Sequence, residues 1–110
     1  DVVGRVREGV RTGEMVSCMF PGGSVTGAPK EVCMEAIDSL EACRRGIYTG
    51  SMGIFSAHMT EMSITIRTMV HSGDTYTIGV GSGITYESDP DAEYDETSLK
   101  ALAMLRSLEG

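Results

Sequence analysis

The apolar residues of this chain change their spacing partway along, and that change limits the folds open to it. Val32, Ala36, Ile37 and Leu40 fall at helical spacing, while Glu31, Glu35, Asp38 and Glu41 fill much of the opposite side. This predicts a half-buried helix over residues 29–42, with Pro29 at its first position. From residue 47 the pattern is that of strands. Residues 47–57 and 62–70 are rich in β-branched, Met and aromatic side chains, and Ser63-Ile64-Thr65-Ile66-Arg67-Thr68 alternates strictly. Alternation places Ile64 and Ile66 on one face and Ser63, Thr65 and Arg67 on the other. A turn at 58–61 and another at Ser72-Gly73-Asp74 lead to a third strand over 75–80. Ser88-Asp89-Pro90 opens a last helix over 90–108, capped by Ser88 or Asp89, with an apolar stripe of Tyr94, Thr97, Ala101, Met104, Leu105 and Leu108. Residues 1–20 are helical in part, weakened by Gly4, Gly9 and Gly13, and residues 20–24 are a loop. The expected class is α+β, with antiparallel sheet strands flanked by helices.

With 110 residues, 41% of them apolar, the chain can collapse, and it amounts to one small domain or a piece of a larger one. A net charge of -7 argues against a duplex nucleic acid or anionic membrane partner. No apolar run approaches the roughly 20 residues that span a bilayer, and no signal-peptide pattern is present. Cys18, Cys33 and Cys43 are odd in number and lack CxxC spacing, which suits a reducing cytosol and offers neither a disulfide framework nor a zinc site. The sequence opens at Asp1, without Met, inside patterned sequence. A processed or excised part of a longer protein is therefore expected.

Several residues can carry chemistry. At 100° per residue, Glu93, Glu96 and Lys100 share one face of the last helix. Two carboxylates so placed can hold a hard divalent cation such as Mg²⁺, or can simply be a solvated acidic helix start with a Glu96–Lys100 pair. Six acids fall within residues 87–96, but not at the offsets of an EF-hand loop. The small, flexible segment Gly22-Gly23-Ser24-Val25-Thr26-Gly27-Ala28-Pro29-Lys30 runs into a helix start, where free amides can hold a carboxylate or phosphate, or it is a plain loop. It does not meet the P-loop pattern. Gly79-Val80-Gly81-Ser82-Gly83 misplaces the third glycine of a dinucleotide fingerprint and better suits close approach by a ligand or another backbone. Arg67 is the only Arg or Lys between Arg45 and Lys100. On a Ser/Thr face it can grip a carboxylate bidentately or lie at the sheet surface. His58 and His71 sit in or beside turns with no partner spaced to complete a metal set, Ser24 and Ser51 show no activating base, and the eight methionines read as packing.

Taken in order, four blocks resemble the chorismate-binding enzymes, a family that includes aminodeoxychorismate synthase component I, anthranilate synthase component I, isochorismate synthase and salicylate synthase. They are Phe20-Pro-Gly-Gly-Ser-Val-Thr-Gly-Ala-Pro-Lys30, Arg44-Arg-Gly-Ile-Tyr-Thr-Gly-Ser-Met-Gly53, Ile64-Thr-Ile-Arg-Thr68, and Gly81-Ser-Gly-Ile running through Ser88-Asp-Pro-Asp-Ala-Glu-Tyr-Asp-Glu-Thr97 to Lys100. The first block resembles the aminodeoxychorismate synthase form, whereas anthranilate synthases more often carry Gly-Thr-x-Ser-Gly-Ala-Pro-Lys. Gly-Ser-Gly stands where Gly-Ala-Gly is more usual, and the turn at 58–61 is about one residue shorter than is usual there.

The resemblance implies a C-terminal part, residues 1–110, of the α+β chorismate-utilising fold. It implies that Glu93 and Glu96 serve a Mg²⁺ gripping the ring carboxylate of chorismate. Arg67 and Tyr48 would take the enolpyruvyl carboxylate, and Thr26, Gly27, Gly81, Ser82, Gly83 and Lys100 would line the pocket. The implied reaction exchanges the 4-hydroxyl of chorismate for an amino group on the way to p-aminobenzoate and folate, with ammonia from a glutamine amidotransferase partner. The nucleophilic Lys of that type belongs to an upstream Pro-Ile-x-Gly-Thr block outside this sequence, so these residues alone are expected to be inactive. Two alternatives stand beside it: another product within the family (anthranilate, isochorismate or salicylate), and a noncatalytic segment that self-associates through open sheet edges.

Overall fold

The computed structural model describes residues 3–109; the first two positions of the partly helical stretch, and Gly110 at the end of the 1–110 segment, lie outside the described residues. The chain is α+β. In order it forms α1 (Thr12–Met19), α2 (Gly23–Thr26), α3 (Lys30–Leu40), β1 (Ser51–Phe55), β2 (Thr60–Ile64), β3 (Met69–Ser72), β4 (Thr75–Ile78) and α4 (Pro90–Leu105), closed by a 3₁₀ turn, Arg106–Leu108. The helical part of the first twenty residues begins only after Gly4 and Gly9, where Glu14 reaches back to accept from the Arg11 N–H at 2.8 Å. Part of the expected loop at 20–24 is the single turn α2, held by the Thr26 hydroxyl donating to the Gly22 carbonyl at 3.1 Å.

Helix α3 is shorter than expected at both ends. Pro29 is extended (ψ 138°) and caps the helix from outside it, and Glu41 is extended as well, so its side chain leaves the helix face.

Four strands form where three were expected, in two separate antiparallel hairpins, β1–β2 and β3–β4. In the first, Ser51 faces Ile64 and Phe55 faces Thr60. Its turn lies at 56–59, not 58–61, because the Ser56 hydroxyl accepts from the amides of His58 and Met59 at 3.3 and 3.0 Å. The ladder runs one step past β1 and β2, with the Thr49 amide on the Thr65 carbonyl and the Thr65 amide on the Gly50 carbonyl, both at 2.9 Å. The strand expected over 62–70 then breaks: Ile66 N–H donates to Ile64 O at 2.9 Å and Arg67 turns to φ 52°. Of the two faces set by the alternation, it is the one carrying Thr65 that is covered. Thr65 is buried at 4% exposure, while Ile64 and Ile66 stay substantially exposed.

Helix α4 starts as its sequence requires, with the Asp89 carboxylate accepting from the Ala92 amide at 2.9 Å and Pro90 in the first turn. Its half-buried stripe is Glu93, Thr97, Lys100, Ala101 and Met104. Tyr94, Leu102, Leu105 and Leu108, with Leu99, lie exposed instead. Among the described residues no apolar side chain is buried; only Thr49 and Thr65 are. The Cα radius of gyration, 16.7 Å, exceeds the roughly 13 Å of a compact domain of this length. No helix of the described residues is long and apolar enough to cross a membrane.

Candidate active site

A polar convergence lies where the turn after α3, the break after β2 and the glycine segment after β4 meet the half-buried stripe of α4 at Lys100. They enclose a cavity of about 230 Å³ whose walls include Arg45, Tyr48, Arg67, Gly79, Gly81, Ser82, Gly83 and Lys100. Six of the residues singled out in the sequence thus share one hollow: Tyr48, Arg67, Gly81, Ser82, Gly83 and Lys100.

Glu93 and Glu96 border the same wall. The Glu93 carboxylate accepts from the Ser82 hydroxyl and, at 2.7 Å, from the Ser88 hydroxyl. Ser88 is in turn oriented by accepting from the Thr85 amide at 3.0 Å. Ser82 first and Ser88 second hold the Glu93 carboxyl below the ordinary carboxylate range. Glu96 is ion-paired with Lys100, whose ammonium also donates to the Gly81 carbonyl at 3.1 Å. The expected Glu96–Lys100 pair is therefore formed, and it ties α4 to the glycine wall.

Thr26 and Gly27 do not line this cavity. Thr26 faces an adjoining open hollow of about 580 Å³, and Gly27 backs onto Cys33. Ser24 and Val25 reach the cavity in their place.

The glycines of the wall make room for a tyrosine. A Cβ on Gly79 would lie 2.3 Å from Cγ of Tyr48, and one on Gly81 would lie 2.8 Å from its hydroxyl oxygen. The Tyr48 ring therefore rests on bare backbone, so the close neighbour of these glycines is a side chain of this chain and not the ligand or other backbone expected there. Among the described residues no backbone hydrogen bond occupies the amides of Gly81, Ser82 and Gly83.

Two arginines face the cavity in different states. Arg67 makes no hydrogen bond or ion pair among the described residues. Arg45, by contrast, is clamped by Glu41, with Nη2 2.6 Å from Oε1 and Nε 2.9 Å from Oε2. The Arg45 hydrogen bonds hold the Glu41 carboxyl below the ordinary carboxylate range, and Glu41 pushes the guanidinium up. A depressed carboxyl contributes stability above its unfolded pKa and loses it as pH falls through the lowered value. The Glu41 carboxyl NMR signal should thus titrate below an ordinary Glu, and Arg45→Gln should return it upward. The sequence offers Ser88 only as a possible helix cap and gives Arg45 no role in the site; the Glu41-to-Arg45 spacing of four is the signal that points to the second.

The site suits a small polyanion in kind. Its donors near α4 are all oxygens: the Glu93 and Glu96 carboxylates, the Ser82 and Ser88 hydroxyls and the Gly81 carbonyl. Oxygen donors fit Mg²⁺, which commonly takes one or two carboxylates from a protein and fills its shell with water and substrate oxygens. No group of three His, Cys, Asp or Glu side chains gathers to hold a metal among the described residues.

A family model described as chorismate binding enzyme matches residues 1–106. Anthranilate synthase component 1 3 of Haloarcula marismortui is 47% identical over 109 residues, covering 98% of this chain and 22% of that protein. Probable aminodeoxychorismate synthase, chloroplastic, of Oryza sativa subsp. japonica is 51% identical over 98 residues, 87% of this chain and 11% of that one. Aminodeoxychorismate synthase component 1 of Bacillus subtilis is 42% identical over 110 residues, 99% of this chain and 23% of that protein. The chain spans about a fifth of the length of the first of these relatives. A match along nearly its whole length places this chain in the chorismate-binding enzyme family.

Proposed function

We propose that this chain is the C-terminal part of a Mg²⁺-dependent enzyme that converts chorismate, of the aminodeoxychorismate synthase component I type. The observation that carries the reading is the cavity of about 230 Å³ lined by Lys100, Tyr48, a glycine wall and Arg67, which is unpaired among the described residues; Glu93 and Glu96 lie outside that lining and join it through Ser82 and Lys100. A dianionic substrate in a chain of net charge -7 needs concentrated positive charge and aimed amides. Arg67 grips the enolpyruvyl carboxylate with its planar fork, and the Tyr48 hydroxyl donates to the same group. Free amides of Gly81, Ser82 and Gly83 orient the ring carboxylate. Glu93 and Glu96 hold Mg²⁺, which when bound neutralises that carboxylate and assists loss of the hydroxyl as a Lewis acid. Lys100 keeps Glu96 turned toward the wall until the cation is loaded. Ammonia comes from a glutamine amidotransferase partner in the cytosol.

The aminodeoxychorismate type is favoured by the Gly22-Gly23-Ser24-Val25-Thr26 form and by the relatives carrying that name. Relatives named anthranilate synthase favour the second reading, and the product separates the two: 4-amino-4-deoxychorismate against anthranilate. The exposed apolar side chains also support self-association of residues 1–110 when isolated.

The direct test is Arg67→Ala in the longer protein carrying this segment. Losing a charge-assisted hydrogen-bond pair should raise the Kd for chorismate, measured by calorimetry with Mg²⁺ present, about 10- to 100-fold. Unchanged affinity would remove Arg67 from the site and the reading with it.

A further inference from the structure

We infer that Arg45, held by Glu41, is a positioning residue that fixes Tyr48 and the cavity wall for the substrate without touching it. The inference rests on the chorismate reading above and adds to it a role for a pair to which that reading gives none.

Every nitrogen of the Arg45 guanidinium is engaged within the chain. Nε lies 3.0 and 2.9 Å from the two Glu41 oxygens, and Nη2 lies 2.6 Å from Oε1. Nη1 donates to the Val25 carbonyl and to the Thr49 hydroxyl, each at 3.2 Å. The Thr49 hydroxyl passes the connection on, donating to the Tyr48 carbonyl at 2.6 Å. The guanidinium carbon itself sits 5.8 Å from the Tyr48 ring centroid. A single side chain thus joins the end of α3, α2 and the backbone carrying Tyr48.

That backbone needs holding. Thr49 is β-branched and buried, yet has φ 61°, a left-handed conformation that such a residue adopts only where its surroundings impose it. The Arg45–Thr49–Tyr48 chain imposes it. With its charge matched by Glu41 and its donors occupied, Arg45 has no free fork for a ligand carboxylate; Arg67, across the cavity, has one.

The two roles predict opposite signs. If Arg45 gripped the substrate, Glu41→Gln would release its charge and tighten binding. If it positions Tyr48, Glu41→Gln loosens the clamp and weakens binding. Arg45→Lys keeps the charge but cannot span Glu41, Val25 and Thr49 together, so it should not rescue.

In the longer protein with Mg²⁺, Glu41→Gln and Arg45→Lys should each raise the KM and Kd for chorismate about 5- to 20-fold with kcat within about twofold, and the double variant should be no worse than either single one. Tighter binding in Glu41→Gln, additive losses, or a kcat that falls with the melted fraction while KM stays constant would each overturn the inference. Glu41→Gln alone decides the sign if Arg45→Lys does not fold. Wild-type protein that binds no chorismate overturns the reading beneath the inference and both fall. Wild-type protein that binds, loses binding in Arg67→Ala, and is indifferent to Glu41→Gln and Arg45→Lys overturns the inference alone.

Discussion

In the longer protein carrying this segment, Glu93→Gln is expected to lower kcat/KM for chorismate by about 10²–10³, the range seen when one preorganised electrostatic contact is removed. The substitution keeps the size of the side chain and removes its charge. Both Glu93 oxygens now accept hydrogen bonds, from Ser82 and Ser88, so the group is aimed before any ligand arrives. An amide presents one acceptor and one donor to two hydroxyls, and it offers a cation only a neutral oxygen. Half-saturation by Mg²⁺ should move to higher concentration, and added Mg²⁺ should recover part of the rate. The fold should persist, because Asp89, not Glu93, caps α4. A variant with the wild-type Mg²⁺ response would end the metal assignment.

Gly79→Ala should be the most damaging substitution of a single methyl. The new carbon would meet Cγ, Cδ2 and Cβ of Tyr48 at 2.3, 2.4 and 2.7 Å. An aromatic ring cannot bend aside, and the backbone that carries it is held by Arg45 through Thr49. Overpacking of this kind costs about 1–3 kcal/mol, to be read from the midpoint of urea unfolding. Chorismate affinity should fall as the ring is displaced. Tyr48→Gly removes all three of those atoms, so Gly79→Ala/Tyr48→Gly should be no less stable than Tyr48→Gly alone. Additive losses would show that the ring does not rest on this wall.

The sequence made the elements legible where one local rule governs them. Asp89-Pro90 set the start of α4, and Gly73 at φ 58° set the second hairpin turn. The helical geometry that joins Glu93, Glu96 and Lys100 on one face was readable for the same reason, since it needs only the helix. Misreadings arose where contacts distant in sequence prevail. Strict alternation hid the break at Arg67, because left-handed backbone there leaves no trace in the polarity pattern. The same pattern separated two faces without telling which is covered, and the ladder continuing to Thr49 buries Thr65. Arg45 went unnoticed because its partners span residues 25–49 and helix α3 stops before Glu41. The tyrosine lying on Gly79 could not be foreseen from a glycine cluster that suited several guests.

The lack of a sealed apolar interior among the described residues changes what alanine scanning can mean in this segment. Truncating a core leucine ordinarily costs 2–5 kcal/mol through the void it leaves. Leu99, Leu102 and Leu105 leave no void here, for each already faces outward. Substitutions at these positions should be silent in the segment alone and costly only once something lies against α4, so the difference between the two scans would trace the footprint of that neighbour, residue by residue.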